Sequence, residues 1–288
     1  MLKDQIFQQK FDEDGYLVVD FFSQDEINAL VEAFYDLHNF DIGKDIFFSN
    51  LYRDKKYQER ARATIRQFLT PKVNQFFKNA DWLEAVFVVK PPGCEKFANH
   101  QDWTMVEETK HRSYGVWCPL LDVDENNGTF CILKGSHRFY ANYRSCTIPW
   151  PFNTDEMDQL IDKNKTILKV SQGQAIIFDH AVIHSTTPNQ SKLRRGSIFL
   201  GLKPKSSPIH HYYYDKINNT IECFEVDGDF FYNYDYVSRP SAYKSLGIVR
   251  NPFPEITFSS LNKKIWNQKL KKFNIIKNRR YRNHGIYA

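Results

Sequence analysis

The 288-residue sequence predicts a β-rich α+β fold with helices gathered at its N-terminus, and three observations carry that expectation. Ser23, with Glu26 three residues on, is a capping-box signal, and Ile27, Leu30, Val31 and Phe34 follow at helical spacing. From Trp82 to Leu202 the apolar stretches shorten to strand length, separated by turn-forming clusters at Asp124–Gly128 and Lys134–His137. The Gly-led segment Gly173–Phe178 is mostly apolar, as a buried strand would be.

In chain order, Phe11 to Phe22 reads as a short strand after a helical start, and the helix capped by Ser23 runs to about His38. A second helix is expected over Lys56–Leu69 and a third over Pro71–Ala80. Strands then dominate, Trp117–Leu120 among them. Tyr140–Lys165 interrupts with Pro149, Trp150 and Pro151 and an acidic helical stretch, Asp155–Asp162, a candidate lid or substrate wall. From Pro204 onward the chain is Tyr-rich and irregular, with Phe224–Phe231 a strand and turn. Trp266, Leu270, Phe273 and Ile276 then recur at helical spacing, so one face of a last helix should pack on the body.

Composition narrows the class. A hydrophobic content of 42% supports a packed core. No apolar run approaches the ~18 residues of a membrane span, and the first residues lack a signal-peptide core, so a cytoplasmic location is expected. Five cysteines with no Cys-x-x-Cys argue against a zinc knuckle or disulfide framework and suit reduced thiols. The net charge of +5 is uneven: nine basic residues and no acidic one lie between Lys263 and Ala288, which leaves the rest net acidic. Such a tail could meet nucleic acid, an acidic carrier or a membrane surface; a solvated basic helix is the plainer reading, and no nucleic-acid partner is expected.

The chemistry concentrates in His100-Gln101-Asp102, then His184, then Arg195 eleven residues later. His-x-Asp on a strand sends both side chains to one face. Two imidazoles and a carboxylate on one face of an octahedral ion match ferrous iron and leave positions open for an anionic co-substrate and O2. A buried arginine fork suits the far carboxylate of that co-substrate. In a strand, Arg195 and Ser197 share a face and Arg194 points away. His-x-Asp alone also occurs as a surface His beside a solvated Asp. His180, four residues before His184, is an alternative ligand, disfavoured by its place relative to Pro188-Asn189 and Arg195. His111, His137 and the pair His210-His211 read as structural or solvated.

With His-Gln-Asp, the Trp117 strand, Asn127-Gly128, Gly135-Ser136-His137, the Gly173 strand, His184 with Pro188-Asn189, and Arg195 in order, the chain resembles the phytanoyl-CoA dioxygenase (PhyH) family of Fe(II)/2-oxoglutarate oxygenases. The opening segments Phe11–Val19 and Phe21–Ile27 share the likeness. The resemblance implies a double-stranded β-helix (jelly roll, cupin-like) core with packed N-terminal helices. It is expected as a single domain over 1–288: core about 85–202, helices 1–84, and a Tyr-rich, basic extension 203–288. It implies Fe(II) on His100, Asp102 and His184, and 2-oxoglutarate held by Arg195 with Ser197. Gln101, Trp117 and Thr186 fall where family members line the co-substrate pocket. The implied reaction converts 2-oxoglutarate and O2 to succinate and CO2 with C–H oxidation of a small-molecule or carrier-tethered metabolite. The retained Asp102 favours hydroxylation over halogenation; desaturation and cyclisation use the same ligands. A catalytically silent binding protein and a cupin with another metal are the competing readings. Trp103–Glu108, Lys90, Asn99 and Arg138 are expected to line a pocket for a polar or zwitterionic substrate.

Overall fold

The computed structural model describes residues 1–249 and 255–283, with side chains in the last helix described as far as Leu270. Three helices come first: α1 (Gln5–Asp14), α2 (Gln24–Leu37) and α3 (Lys55–Phe76). Strand β1 (Tyr16–Asp20) follows α1, and the short β2 (Phe47–Phe48) precedes α3. Next come β3 (Ala80–Lys90), β4 (Phe97–His100), β5 (Tyr114–Pro119), β6 (Phe130–Ile132), β7 (Thr166–Ile167), β8 (Gln174–Asp179), β9 (His184–Thr186) and β10 (Arg195–Pro204). Helix α4 (Asp155–Asn164) is inserted between β6 and β7.

Six strands pair in the order β1-β8-β5-β10-β3-β2 and four in the order β4-β9-β6-β7, all antiparallel. These two sheets are the jelly-roll core. The six-stranded sheet is buried on both faces, and its side chains divide by parity. Ala85, Phe87 and Val89 of β3, with Ile198, Leu200 and Leu202 of β10, pack under α1–α3. The alternate residues Trp117, Ile176, Phe178 and Phe199 turn inward to meet Phe130 and Ile132 of the smaller sheet. A strand buried on both sides shows little polar alternation, so the sequence marks these strands by length and turns rather than by period.

The Ser23 capping box forms as expected, and α2 ends at the His38 cap. The Phe11–Phe22 reading changes: α1 continues through Asp14, and the strand starts only at Tyr16. Gly15 separates them at φ 81°, where it satisfies the end of α1 from a left-handed conformation. The two helices expected around Pro71 are one. Pro71 lies inside α3, and the helix continues because Leu69 and Val73 on either side are both buried in the core.

The region after Pro204 is more ordered than its Tyr-rich composition suggests. Strands β11 (Ile209–Asp215), β12 (Thr220–Val226) and β13 (Lys244–Ile248) form an antiparallel sheet, with the short helix α5 (Phe230–Asn233) between the last two. His210 and His211 are buried in β11 rather than solvated. The last helix, α6 (Phe258–Asn283), packs on α4 through Leu261 and Ile265. That is not the face expected: Trp266 is 62% exposed and Leu270 42%. The side chains of Phe273 and Ile276 lie outside the described residues. Among the described residues no helix is long and apolar enough to cross a membrane.

Candidate metal centre and anion pocket

Strands β4 and β9 pair so that His100 stands directly opposite His184. Their rings approach to 4.1 Å between centroids. Asp102, two residues past His100, places Oδ1 at 3.7 Å from Nε2 of each histidine. One ligand atom from each of the three residues lies within 4.8 Å of the others. His180 stays out of this cluster; it is fully buried, and neither ring nitrogen has a partner.

The two imidazoles are oriented alike. Nδ1 of His100 meets the Ala98 carbonyl at 2.9 Å, and Nδ1 of His184 meets the Val182 carbonyl at 3.0 Å. A carbonyl on Nδ1 fixes the tautomer that leaves Nε2 as a free lone pair, the usual support for a metal-binding histidine. Phe130 stacks on His184 at 4.8 Å and 9° and holds the ring plane. Burial, then the mutual proximity of the two rings for His100, lowers both to about 4, so they stand neutral. Asp102 Oδ2 is buried without a hydrogen-bond partner. A carboxylate with one oxygen between two neutral imidazoles and the other unpartnered fits a divalent cation, and the nitrogen–oxygen donor set fits Fe(II).

A second charged cluster lies in the larger sheet. Arg195 opens β10 and pairs in register with Lys90, the last residue of β3. Both side chains are almost wholly buried, and neither has a carboxylate partner among the described residues. Arg195 donates through Nη1 to Ser197 Oγ, leaves Nε unpartnered, and lies over the Trp117 ring at 5.4 Å. Lys90 donates to Thr186 Oγ1 at 2.8 Å and to the Thr187 carbonyl. Burial, then Arg195, lowers Lys90 to about 8, and burial lowers Arg195 to about 10. Two buried cations without an anion are costly on their own and form a site for one. Arg194 points outward to the Phe40 carbonyl, in line with strand parity.

The Asn127-Gly128 turn closes over these cations. Gly128 sits at φ 90°, and a Cβ there would fall 2.8 Å from Lys90 Cδ and 3.4 Å from Arg195 Nε. Only glycine supplies both the conformation and the space.

His100, Asp102, His184, Thr186, Trp117 and Arg195 border one cavity of about 250 Å³ between the sheets. Gln101 borders it too, but its amide donates to the Ala181 carbonyl and its Oε1 accepts from Asn142, so it ties the two ligand-bearing loops together. Lys90 was expected as substrate lining and instead joins Arg195. Asn99 is held by Asp158 and Asp162, and Arg138 by the Asp12 carbonyl and Gln268. No residue of the expected lid, 140–165, lines the cavity. The segment packs instead with α6 and against β4.

These burials set an acid response. Six histidines (His38, His100, His137, His180, His184 and His211) are lowered by burial to about 4 from 6.5. Between those values the unfolded chain binds more protons, so stability falls as pH drops from 6.5 toward 4. Asp179, raised by burial to about 6, and Glu84, raised to about 8, act in the opposite sense but are fewer. The metal-free protein is expected to melt highest near pH 6.5 and progressively lower toward pH 4.5. Melting curves in chelator that stay flat over this window would contradict it.

The profile of the family described as phytanoyl-CoA dioxygenase (PhyH) matches residues 11–197. Among solved structures, EctD from S. alaskensis, with 2-oxoglutarate and 5-hydroxyectoine, is 20% identical with a TM-score of 0.51, over 73% of this chain and 78% of its own. HygX from Streptomyces hygroscopicus, with nickel and 2-oxoglutarate bound, is 18% identical with a TM-score of 0.50, over 70% and 88%. The 2-oxoglutarate-dependent carbocyclase SnoK from nogalamycin biosynthesis is 12% identical with a TM-score of 0.50, over 72% and 86%. At these identities the likeness is one of fold. No curated protein sequence matches the chain.

Proposed function

Because the chain belongs to the phytanoyl-CoA dioxygenase (PhyH) family and is a 2-oxoglutarate-dependent non-haem iron oxygenase, we propose that it hydroxylates a small molecule at the cavity between its sheets. His100, Asp102 and His184 are the residues that would hold Fe(II). One observation carries the reading: three neutral or anionic metal donors and the uncompensated buried Arg195 line the same cavity, with a second buried cation, Lys90, paired beside Arg195.

The bound iron supplies the oxidising chemistry, in which 2-oxoglutarate, O2 and a substrate C–H give succinate, CO2 and the alcohol. The rest falls to the chain. Arg195 offers a fork to the distal carboxylate of 2-oxoglutarate, and the Ser197 hydroxyl fixes that fork. Lys90 and Thr186 would add a second cation and a hydroxyl from the facing side. Trp117 forms the wall beside Arg195. Phe130, Phe178 and Phe199 line the inner cavity with hydrocarbon, which keeps water from the reacting centre. The Asp102 carboxylate occupies a ligand position that a halide would otherwise need, which supports hydroxylation.

The test is direct. Adding 2-oxoglutarate without oxygen to Fe(II)-loaded protein, at about 100 times its Kd, should raise the melting temperature by about 5 °C. In air the same protein should form succinate only with Fe(II) present. A protein that neither gains stability nor forms succinate would refute the reading.

A further inference from the structure

The cavity is charged at both ends, and the co-substrate accounts for only one. Strand β3 faces it with alternate residues: Glu84, Val86 and Val88 line the cavity, and Lys90 follows on the same face. At ~3.3 Å per residue, Glu84 stands about 20 Å along the strand from Lys90. Lys90 and Arg195 make the anion end. Glu84 makes the other, and its side chain has no hydrogen-bond or ion-pair partner among the described residues.

An unpartnered acceptor and an aromatic face share the cavity with Glu84. Asn50 also lines the cavity, and its Oδ1 is buried without a partner. Trp103 lines the cavity as well and packs in one apolar cluster with Leu83, the neighbour of Glu84, whereas Phe48, opposite Val88, and Phe97, beside His100, wall the part nearer the metal donors. Trp103 is held in place by Tyr236 at 5.2 Å and Phe231 at 6.3 Å. Burial, with the Asp102 carboxylate adding to it, pushes Glu84 up to about 8, the mark of an acid that lacks a counter-charge.

We propose that this end of the cavity binds a positively charged amino group of the substrate, which donates to Glu84 and Asn50 Oδ1 and lies against Trp103. An ammonium brings three donors to the Glu84 carboxylate and the unpartnered Asn50 Oδ1, and aromatic faces attract cations. A carboxylate there would meet Glu84 and Asp102, both of its own sign. A neutral hydroxyl would bring Glu84 no counter-charge, whereas an ammonium favours its ionised form. The substrate class is therefore an amine, oxidised at a carbon set back from its nitrogen. The inference rests on the proposed function, since it takes this cavity as the substrate pocket of the iron site.

The probes are L-lysine, spermidine and glucosamine, each beside its N-acetylated form, added to Fe(II)- and 2-oxoglutarate-loaded protein without oxygen. In wild type the best-bound amine should bind at least about 10-fold more tightly than its acetylated partner, the worth of one charge-assisted hydrogen bond. Glu84→Gln should cut that preference to about 2-fold or less. Glu84→Lys should abolish amine binding. Equal binding of amine and acetylated forms by wild type, binding of neither, or an undiminished preference in Glu84→Gln would overturn the inference. The wild-type comparison needs no variant to fold. 2-Oxoglutarate binding to the same wild-type sample separates the two claims. If it fails, the oxygenase reading falls with this one; if it holds and amine preference is absent, only the amine inference falls.

Discussion

In Asp102→Ala, Fe(II)-dependent conversion of 2-oxoglutarate to succinate is expected to drop to the level of the metal-free protein. Asp102 is the one charged donor of the cluster, and its Oδ1 lies between both Nε2 atoms. Without it two neutral imidazoles remain, too few to fix a hard divalent ion in a defined geometry. Stability should move the other way. Asp102 Oδ2 is buried without a partner, a situation that costs about 1–3 kcal/mol. Metal-free Asp102→Ala should therefore melt at or above wild type. Loss of turnover with a lowered metal-free melting temperature would mean that the carboxylate holds the fold, and persistent Fe(II)-dependent turnover would remove it from the metal site.

Arg195→Gln is expected to raise the KM for 2-oxoglutarate by about 30-fold or more. Removing one partner of a buried, hydrogen-bonded charge pair costs about 2–5 kcal/mol, and 1.4 kcal/mol is a factor of ten. Lys90 stays behind as a cation, so the loss should be large but incomplete. Arg195→Lys should restore only part of it, because a point charge cannot present two parallel donors. Metal-free Arg195→Gln should be at least as stable as wild type, since it removes one of two like charges buried side by side. A KM within about 3-fold of wild type would assign the anion site to Lys90 alone.

What the sequence revealed of this arrangement follows from how local each signal is. Arg195 with Ser197, against Arg194, is a parity argument within one strand, and the side chains alternate as that argument requires. The Asn127-Gly128 turn was legible as a turn, but its purpose was not. That purpose lies in the approach of Lys90 and Arg195, which are distant in sequence from it and from each other. Lys90 was expected at a substrate pocket rather than beside Arg195, and Glu84 drew no expectation, because a strand buried on both sides has no polar stripe to mark its inner face. Pro71 misled because helix-breaking is a local tendency, overruled here by the core contacts of Leu69 and Val73. The candidate lid or substrate wall is tied down instead through long-range contacts that no local pattern shows: Asp158 and Asp162 of its acidic helix hold Asn99 and Lys96.

The sheet β11–β13 and helix α5 lie wholly beyond residue 197, where the family profile ends. Yet Phe231 and Tyr236 back the Trp103 ring, and the Tyr232 hydroxyl accepts from the backbone N–H of Ala85, next to Glu84. The metal donors and the paired cations, by contrast, all fall within the matched stretch. The chain thus divides the work: the matched stretch carries the donors and cations, and the segment beyond it braces the wall at which the amine is proposed to bind. A change beyond residue 197 could therefore alter the wall behind Trp103 without touching a single metal donor or cation.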